Sequence, residues 1–489
     1  MLFNSFTFVL FFLPLALGGY TALRLAGRAR AAKVFLVAAS LFFYGWWELR
    51  GVAIIVVSIA INYSLSLLME RWPARSRLVL TAGIVFNLGL LGWFKYYNFL
   101  AGALDALPGV DLGLRHIALP LAISFFTFQQ IAYLVEAWRD GKAADSVLDY
   151  CLFVLFFPHL IAGPITHHKE MLPQFKVAGH GRLDPAFVTI GTVIFILGLA
   201  KKVVVADALA GFADPVFALA ETGRPLAPAA AWSGALAYTF QLYFDFSGYS
   251  DMALGLGLLF GIRLPINFAS PYKAASIIEF WRRWHISLSR FLRNYLYIPL
   301  GGNRHGRVRR YLNLFATMAI GGLWHGAGWT FLAWGALHGI YLMVNHAWRH
   351  AFGETQGPSS RAPLIRLAGW ALTFVAVVFA WVPFRAASFH GALAMAAAMV
   401  GAGGDAAAPM PGPAALTVAA AALLAWLAPN TAELAGYPAS VPGAEVETAP
   451  LAPCRPLLPA GLAAAALGAA AALALAKMPD PGIFLYFNF

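Results

Sequence analysis

Two histidines stand in aromatic, apolar surroundings, in Trp281-Arg-Arg-Trp-His285 and in Leu323-Trp324-His325-Gly. The rest of the chain reads as largely buried in lipid. An ionisable side chain at membrane depth is costly and marks a functional site by default. Two of them predict a reaction centre within the bilayer. His325 lies in Gly321-Gly-Leu-Trp-His-Gly-Ala-Gly328, and these glycines predict a close approach of backbone and ligand. A neutral imidazole beside a bound hydroxyl accepts its proton as acyl transfer proceeds, an effect worth about 10²–10⁴ in rate. The passage serving such a site must be wet enough to admit its substrates. The competing reading is a histidine hydrogen-bonded between helices.

His285 follows Glu279-Phe-Trp-Arg282-Arg283-Trp. On a continuous helix it shares a face with Ser289, and Glu279 reaches Arg282 or Arg283. The functional reading is a second polar group in the channel, orienting the acyl donor or His325. The alternative is an interfacial histidine beside snorkelling arginines. Gln241-Leu-Tyr-Phe-Asp245-Phe-Ser-Gly-Tyr249-Ser-Asp251 places two carboxylates in an apolar run. Gln241, Asp245 and Tyr249 form one helical stripe, Ser247 and Asp251 another. Carboxylates at depth need partners, and Arg282, Arg283, Arg290 and Arg293 are the candidates. A structural ion-pair network lining the cavity is preferred to direct catalysis. Two Asp with no histidine at ligand spacing make a poor metal site, so no metal is expected.

Other polar groups have quieter readings. Ser124, Thr127, Gln129 and Gln130 are of the kind that bonds helix to helix. Phe157-Pro-His159-Leu-Ile-Ala-Gly-Pro164 reads as a broken or re-entrant segment holding a structural histidine. His338 falls roughly opposite His325 by helical period. His167, His168, His305, His346 and His350 are expected in solvent. The segment Phe484-Leu-Tyr486-Phe-Asn-Phe489 is very aromatic. One reading is an interfacial anchor. The other is that the Tyr486 hydroxyl carries an acyl group, splitting one hard step into two.

The elements that must hold these residues follow from composition. The 489 residues are 60% hydrophobic and 11% charged, against about 25% charged in a soluble chain. At roughly 20 apolar residues per span, the length allows an all-α polytopic membrane protein with about 10–13 transmembrane helices. Re-entrant or interfacial helices would complete it around a central channel. One membrane-embedded domain is expected over 1–489: a core at 1–386, Ala-rich helices at 387–476 and an aromatic tail at 477–489. Residues 265–310 hold eight arginines among tryptophans and tyrosines, a mixture suited to the interface and not to a span. The net charge of +12 sits in short loops between apolar runs, so membrane topology explains it and nucleic acid is not a partner. Met1–Gly19 reads as a first span followed by a cytoplasmic Arg24–Lys33 loop. Cys151 and Cys454 form no CxxC motif, and no disulfide framework follows. P-loop, nucleophile-elbow and dinucleotide fingerprints in their proper context are absent.

Phe42-Phe-Tyr-Gly-Trp-Trp, Phe94-Lys-Tyr-Tyr-Asn-Phe99, Ile123-Ser-Phe-Phe-Thr-Phe-Gln, Ile161-Ala-Gly-Pro, Tyr243-Phe-Asp-Phe-Ser-Gly-Tyr-Ser-Asp-Met, Glu279-Phe-Trp-Arg-Arg-Trp-His-Ile-Ser-Leu-Ser and Leu323-Trp-His-Gly occur in order. Together they resemble the membrane-bound O-acyltransferase superfamily, and within it the bacterial alginate O-acetyltransferase branch. The resemblance runs over about 1–386 and the tail. It implies a many-helix fold with a funnel on each side, meeting near His325, the family's histidine, and His285, its second. It also implies acetyl-CoA as acyl donor, with no bound cofactor, in a bacterial inner membrane. The acetyl group would pass to a periplasmic partner of the SGNH-hydrolase kind within a polysaccharide biosynthesis complex. The tail resembles the family's Phe-Ile-Tyr-Phe-Gln-Phe ending. His159 stands where relatives often carry Gln, and Trp381-Val-Pro-Phe-Arg departs from Trp-Val-Phe-Phe-Arg. A transporter or flippase, or a non-catalytic subunit of a polysaccharide synthase, is the alternative. A transporter would show internal repeats, and none is evident.

Overall fold

The computed structural model describes residues 1–105, 107, 112–177, 181–353, 362–404, 412–437, 460–478 and 484–485. Cys454 and Tyr486 lie outside the described residues. Among the described residues every regular element is helical, as the composition requires. Among the described residues, five helices are long and apolar enough to cross a membrane: Thr7–Leu25, Leu49–Arg71, Pro73–Leu104, Pro185–Glu221 and Pro363–Arg385. Other helices fall outside these limits of length and composition for two reasons. Some apolar helices are shorter, such as Gly412–Leu427 and Gly461–Lys477. Others, such as Trp329–Phe352, carry histidine and arginine along their length.

The chain forms two compact units. The first comprises Met1–Leu199, Tyr249–Ile266 and Ala432–Ala471. It opens with a hairpin of the helices Leu13–Leu25 and Ala29–Gly45. Gly27, at φ 70°, closes the first helix. The Arg28 amide reaches Leu23 O and the Gly27 amide reaches Arg24 O, the paired bonds of a left-handed glycine stop. Phe8, Phe12, Phe43 and Phe157 interlock, with ring centroids 5.2–6.1 Å apart. Buried amides and hydroxyls tie helices together where lipid offers no competing partner. Asn87 Nδ2 donates to Asn62 Oδ1 at 2.7 Å. Gln130 Nε2 donates to Ser58 Oγ at 3.0 Å. Gln129 Nε2 donates to Phe153 O and Thr166 Oγ1. The helix Val147–Leu155 ends before a single turn, Phe157–Leu160. The prolines and Gly163 break the segment as the sequence predicts.

The second unit comprises Ala200–Gly248, Asn267–Thr431 and Ala472–Phe489. Its frame is an antiparallel hairpin, Gly306–His325 against Trp329–Phe352. Glycines set the spacing. A Cβ on Gly322 would strike Phe331 O, and one on Gly335 would strike Met318 O. One on Gly339 would lie 3.0 Å from Phe315 Cα. Small residues at such crossings let two helices meet backbone to backbone, and dispersion then holds them in lipid. Between residues 265 and 310 lie two seven-residue helices, Ile277–Arg283 and Ile286–Leu292. Each is about 10 Å long, far short of a span.

The crossing is directly testable. Gly335→Ala forces the hairpin apart and is expected to cost about 1–3 kcal/mol, the scale of overpacking. Gly89, with nothing near its missing Cβ, is the control: Gly89→Ala stabilises or is neutral. Thermal unfolding of the two variants in detergent reads the contrast, and equal melting temperatures would refute the packing argument.

Candidate active site

His285 does not continue a helix. It is the residue between the two short helices, at φ 43° and ψ 56°, a left-handed conformation. The expected shared face with Ser289 is therefore lost, because the helix breaks at Trp284 and restarts at Ile286. Ser289 Oγ turns to Trp284 O at 3.3 Å and serves the local turn. A non-glycine residue in this region stores about 1–3 kcal/mol and persists only where its surroundings over-determine it. Asn267 does so. Its carbonyl accepts the Ile286 amide at 3.0 Å. Its Oδ1 accepts the Ser287 amide at 3.2 Å and Ser287 Oγ at 3.0 Å.

The same Oδ1 lies 3.1 Å from His285 Nδ1. An atom that already receives a backbone N–H is an oxygen, so Nδ1 must be the donor. The neutral ring then carries its lone pair on Nε2, the form a general base needs. Phe246 packs edge-on to the ring, 4.7 Å between centroids.

His325 is the last residue of its helix, and Gly326 turns away in extended conformation. Its ring meets Trp324 at 4.9 Å, Trp334 at 5.0 Å and Phe384 at 5.2 Å. The two imidazoles are 6.2 Å apart, centroid to centroid, although forty positions separate them in sequence. His285 is 0% exposed and His325 3%. The expected wet passage is thus not seen at the rings themselves, which sit in a closed aromatic shell. Nor do the glycines around His325 make room for a ligand. Gly322 faces the neighbouring helix, Gly326 faces the Phe331 ring and Gly321 faces Leu292.

The carboxylates are arranged differently from expectation. Asp245 pairs with Lys202, Nζ to Oδ1 2.6 Å, and not with an arginine. Lys202 also reaches Asp207 at 2.6 Å. Arg283 is engaged by Glu279 at 2.8 Å and by Ala269 O, and Arg282 is exposed. Gln241 is buried one turn before Asp245 on the Pro228–Leu259 helix. Asp251, further along that helix, belongs to the first unit. In that unit His159 Nε2 donates to Phe153 O at 3.1 Å. His167 and His168 are not solvated loop residues, since both approach Glu136, at 3.2 and 2.8 Å. His338 is fully buried, accepting from Trp281 Nε1 at 3.2 Å and packing on Trp334. Among the described residues no group of three or more His, Cys, Asp or Glu is placed to hold a metal.

Sequence reasoning missed Lys202, Asn267, Trp334 and Phe384. A lysine inside the apolar run 187–210 was a usable signal for Lys202. Nothing in the sequence marked Asn267.

The membrane-bound O-acyltransferase family model matches residues 120–382, a stretch that includes both histidines. The chain belongs to the membrane-bound O-acyltransferase family. It is similar to a peptidoglycan O-acetyltransferase of Helicobacter pylori, 45% identical over 83% of this chain and 80% of the relative. It is similar to a probable alginate O-acetylase AlgI of Pseudomonas aeruginosa, 44% identical over 82% and 75%. A teichoic acid D-alanyltransferase of Streptococcus thermophilus is 32% identical over 47% and 57%. This O-acyltransferase is therefore a multi-pass membrane enzyme, and the transporter and scaffold alternatives fall away.

For the acyltransferase, Asn267→Leu removes the acceptor facing Nδ1–H. Leaving a buried donor unsatisfied costs about 1–3 kcal/mol, roughly 5- to 150-fold if expressed at the transition state. Acyl transfer in membranes, normalised to protein level, checks this. Wild-type transfer in Asn267→Leu would remove the tautomer argument.

Proposed function

We propose that this enzyme takes an acetyl group from cytoplasmic acetyl-CoA and moves it across the bacterial inner membrane for O-acetylation of an exopolysaccharide such as alginate. A periplasmic SGNH-type partner within the polysaccharide biosynthesis complex completes the transfer. The names of the similar proteins, which concern peptidoglycan and alginate, support an acetylated polymer. The observation that carries the chemistry is the convergence of His285 and His325 within one compact unit, 6.2 Å apart.

In this reading the Tyr486 hydroxyl attacks the thioester carbonyl. Its proton passes to the His325 imidazole, and the C–S bond breaks with the CoA sulfur leaving as thiol once it takes a proton. The resulting aryl ester is then attacked by an acceptor hydroxyl of the periplasmic partner, and the tyrosine regains its proton. His285, with Nδ1–H held by Asn267, offers Nε2 as a second basic site. The aromatic shell excludes water, which protects an acyl intermediate from hydrolysis. Gln241, Trp324 and Asp245 support the site without taking part in bond changes.

His325→Ala in intact cells is the first test. Mass spectrometry of the polymer is expected to show loss of acetylation by about 10²–10⁴, the range of general acid–base catalysis, at unchanged membrane levels. Normal acetylation would take His325 out of the mechanism. Tyr486→Phe keeps the ring and removes the nucleophile, so acetylated product is expected to vanish while the protein stays folded. Wild-type product in that variant would end the relay.

A further inference from the structure

From the buried ion cluster of the second unit we infer that Asp245, held by Lys202, is the receptor that seats the Phe484–Leu485 segment beside the histidine centre. Asp245 is thus a positioning residue for the transfer. The inference deepens the proposed reaction and rests on the Tyr486 reading for its functional half.

The geometry is specific. Lys202 and Asp245 are 2% and 1% exposed. Lys202 lies in the π-helical turn Lys201–Ala206, a distortion frequent at functional sites. Its ammonium bridges Asp207 Oδ1 and Asp245 Oδ1, 2.6 Å to each. The one ammonium is shared between two carboxylates, so Asp245 does not have it to itself. A buried carboxylate in that position needs further donors. The donor supplied to Asp245 Oδ2 is the Leu485 backbone N–H, at 3.1 Å, from a residue 240 positions away in sequence. A charge-assisted bond of this kind is stronger than a neutral one.

The next residue on the helix completes the seat. Phe246 packs against Phe484 at 6.1 Å and against His285 at 4.7 Å, and Phe484 is itself buried. The docked segment is therefore one aromatic ring away from an imidazole of the centre. Leu485 immediately precedes Tyr486 in the chain. Seating Leu485 fixes where the chain enters that residue.

The test removes the donor and leaves the buried charges alone. Leu485→Pro has no N–H to give, whereas Leu485→Ala keeps it. Docking is read by maleimide labelling of Phe484→Cys in the full chain with Cys151 and Cys454 replaced by Ser. The thiol is expected to be shielded alone and beside Leu485→Ala, and labelled beside Leu485→Pro. Equal shielding beside Leu485→Pro would overturn the receptor. Acyl transfer, measured with Phe484 intact, is expected to fall on the order of 10² in Leu485→Pro, the scale of a 1 Å misplacement of reacting groups, and to persist in Leu485→Ala. A labelled thiol with undiminished transfer would overturn the positioning role. The double variant Lys202→Met/Asp245→Leu removes the fully buried pair, leaves only the partly exposed Asp207 carboxylate, and is expected to match Leu485→Pro in both readouts. Wild-type behaviour there would also overturn the proposal. Failure of the Tyr486 reading is separate: Tyr486→Phe would then transfer normally while the labelling pattern stayed as described.

Discussion

A charge withdrawn from water in a lipid-facing protein must be met by its opposite, and this requirement organises the second unit. Lys202 cannot stay charged at 2% exposure without Asp245 and Asp207. Asp245 in turn fixes the Pro228–Leu259 helix against the turn that carries Lys202. With that helix placed, Phe246 lies against His285, and a residue from a remote part of the sequence reaches Asp245 Oδ2. Removing one partner of such a pair leaves an uncompensated buried charge, a penalty of about 3–5 kcal/mol. The cluster is thus a joint on which several elements depend at once.

The histidines obey the complementary constraint. They are polar groups in an aromatic shell, so their protons must be assigned by the few polar neighbours allowed to reach them. For His285 that neighbour is Asn267, and the assignment follows because Ser287 occupies the same oxygen with two donors. A shell of tryptophan and phenylalanine also lowers the local polarity, which strengthens each remaining electrostatic contact. In the proposed reaction, the same closure means that substrates reach the rings only when side chains of the shell move. Chemistry and access are then separate steps, as in many enzymes whose sites close over their reactants.

How far the sequence disclosed this depends on where each signal is stored. His285 and His325 were legible because their neighbours in sequence are also their neighbours in space: Trp324 beside His325 is both. The all-helical membrane class was legible because 60% hydrophobic and 11% charged residues admit little else. The arginines expected beside Asp245 are about as far from it in sequence as Lys202 is, so separation along the chain could not choose between them; the cation that pairs is the one inside an apolar helix. Asn267 was invisible because an asparagine in a loop has many duties, and only the folded chain brings three donors to its Oδ1. The glycines near His325 were read as space for a ligand. They are space for a helix, and sequence does not distinguish the two uses of a missing Cβ.

That last exchange of roles has a structural consequence. If Gly322 and Gly335 bring two helices into backbone contact, then the ring at the end of the first helix is carried by a rigid hairpin and not by a flexible loop. His285 is held by an opposite device, a left-handed residue pinned between two short helices by Asn267. One imidazole is fixed by packing and the other by hydrogen bonds. Their 6.2 Å separation is therefore set by two independent constraints, and neither alone would preserve it. Reactions that move a proton and an acyl group between fixed centres gain from such placement, because the entropy of alignment is lost at folding and not in the transition state.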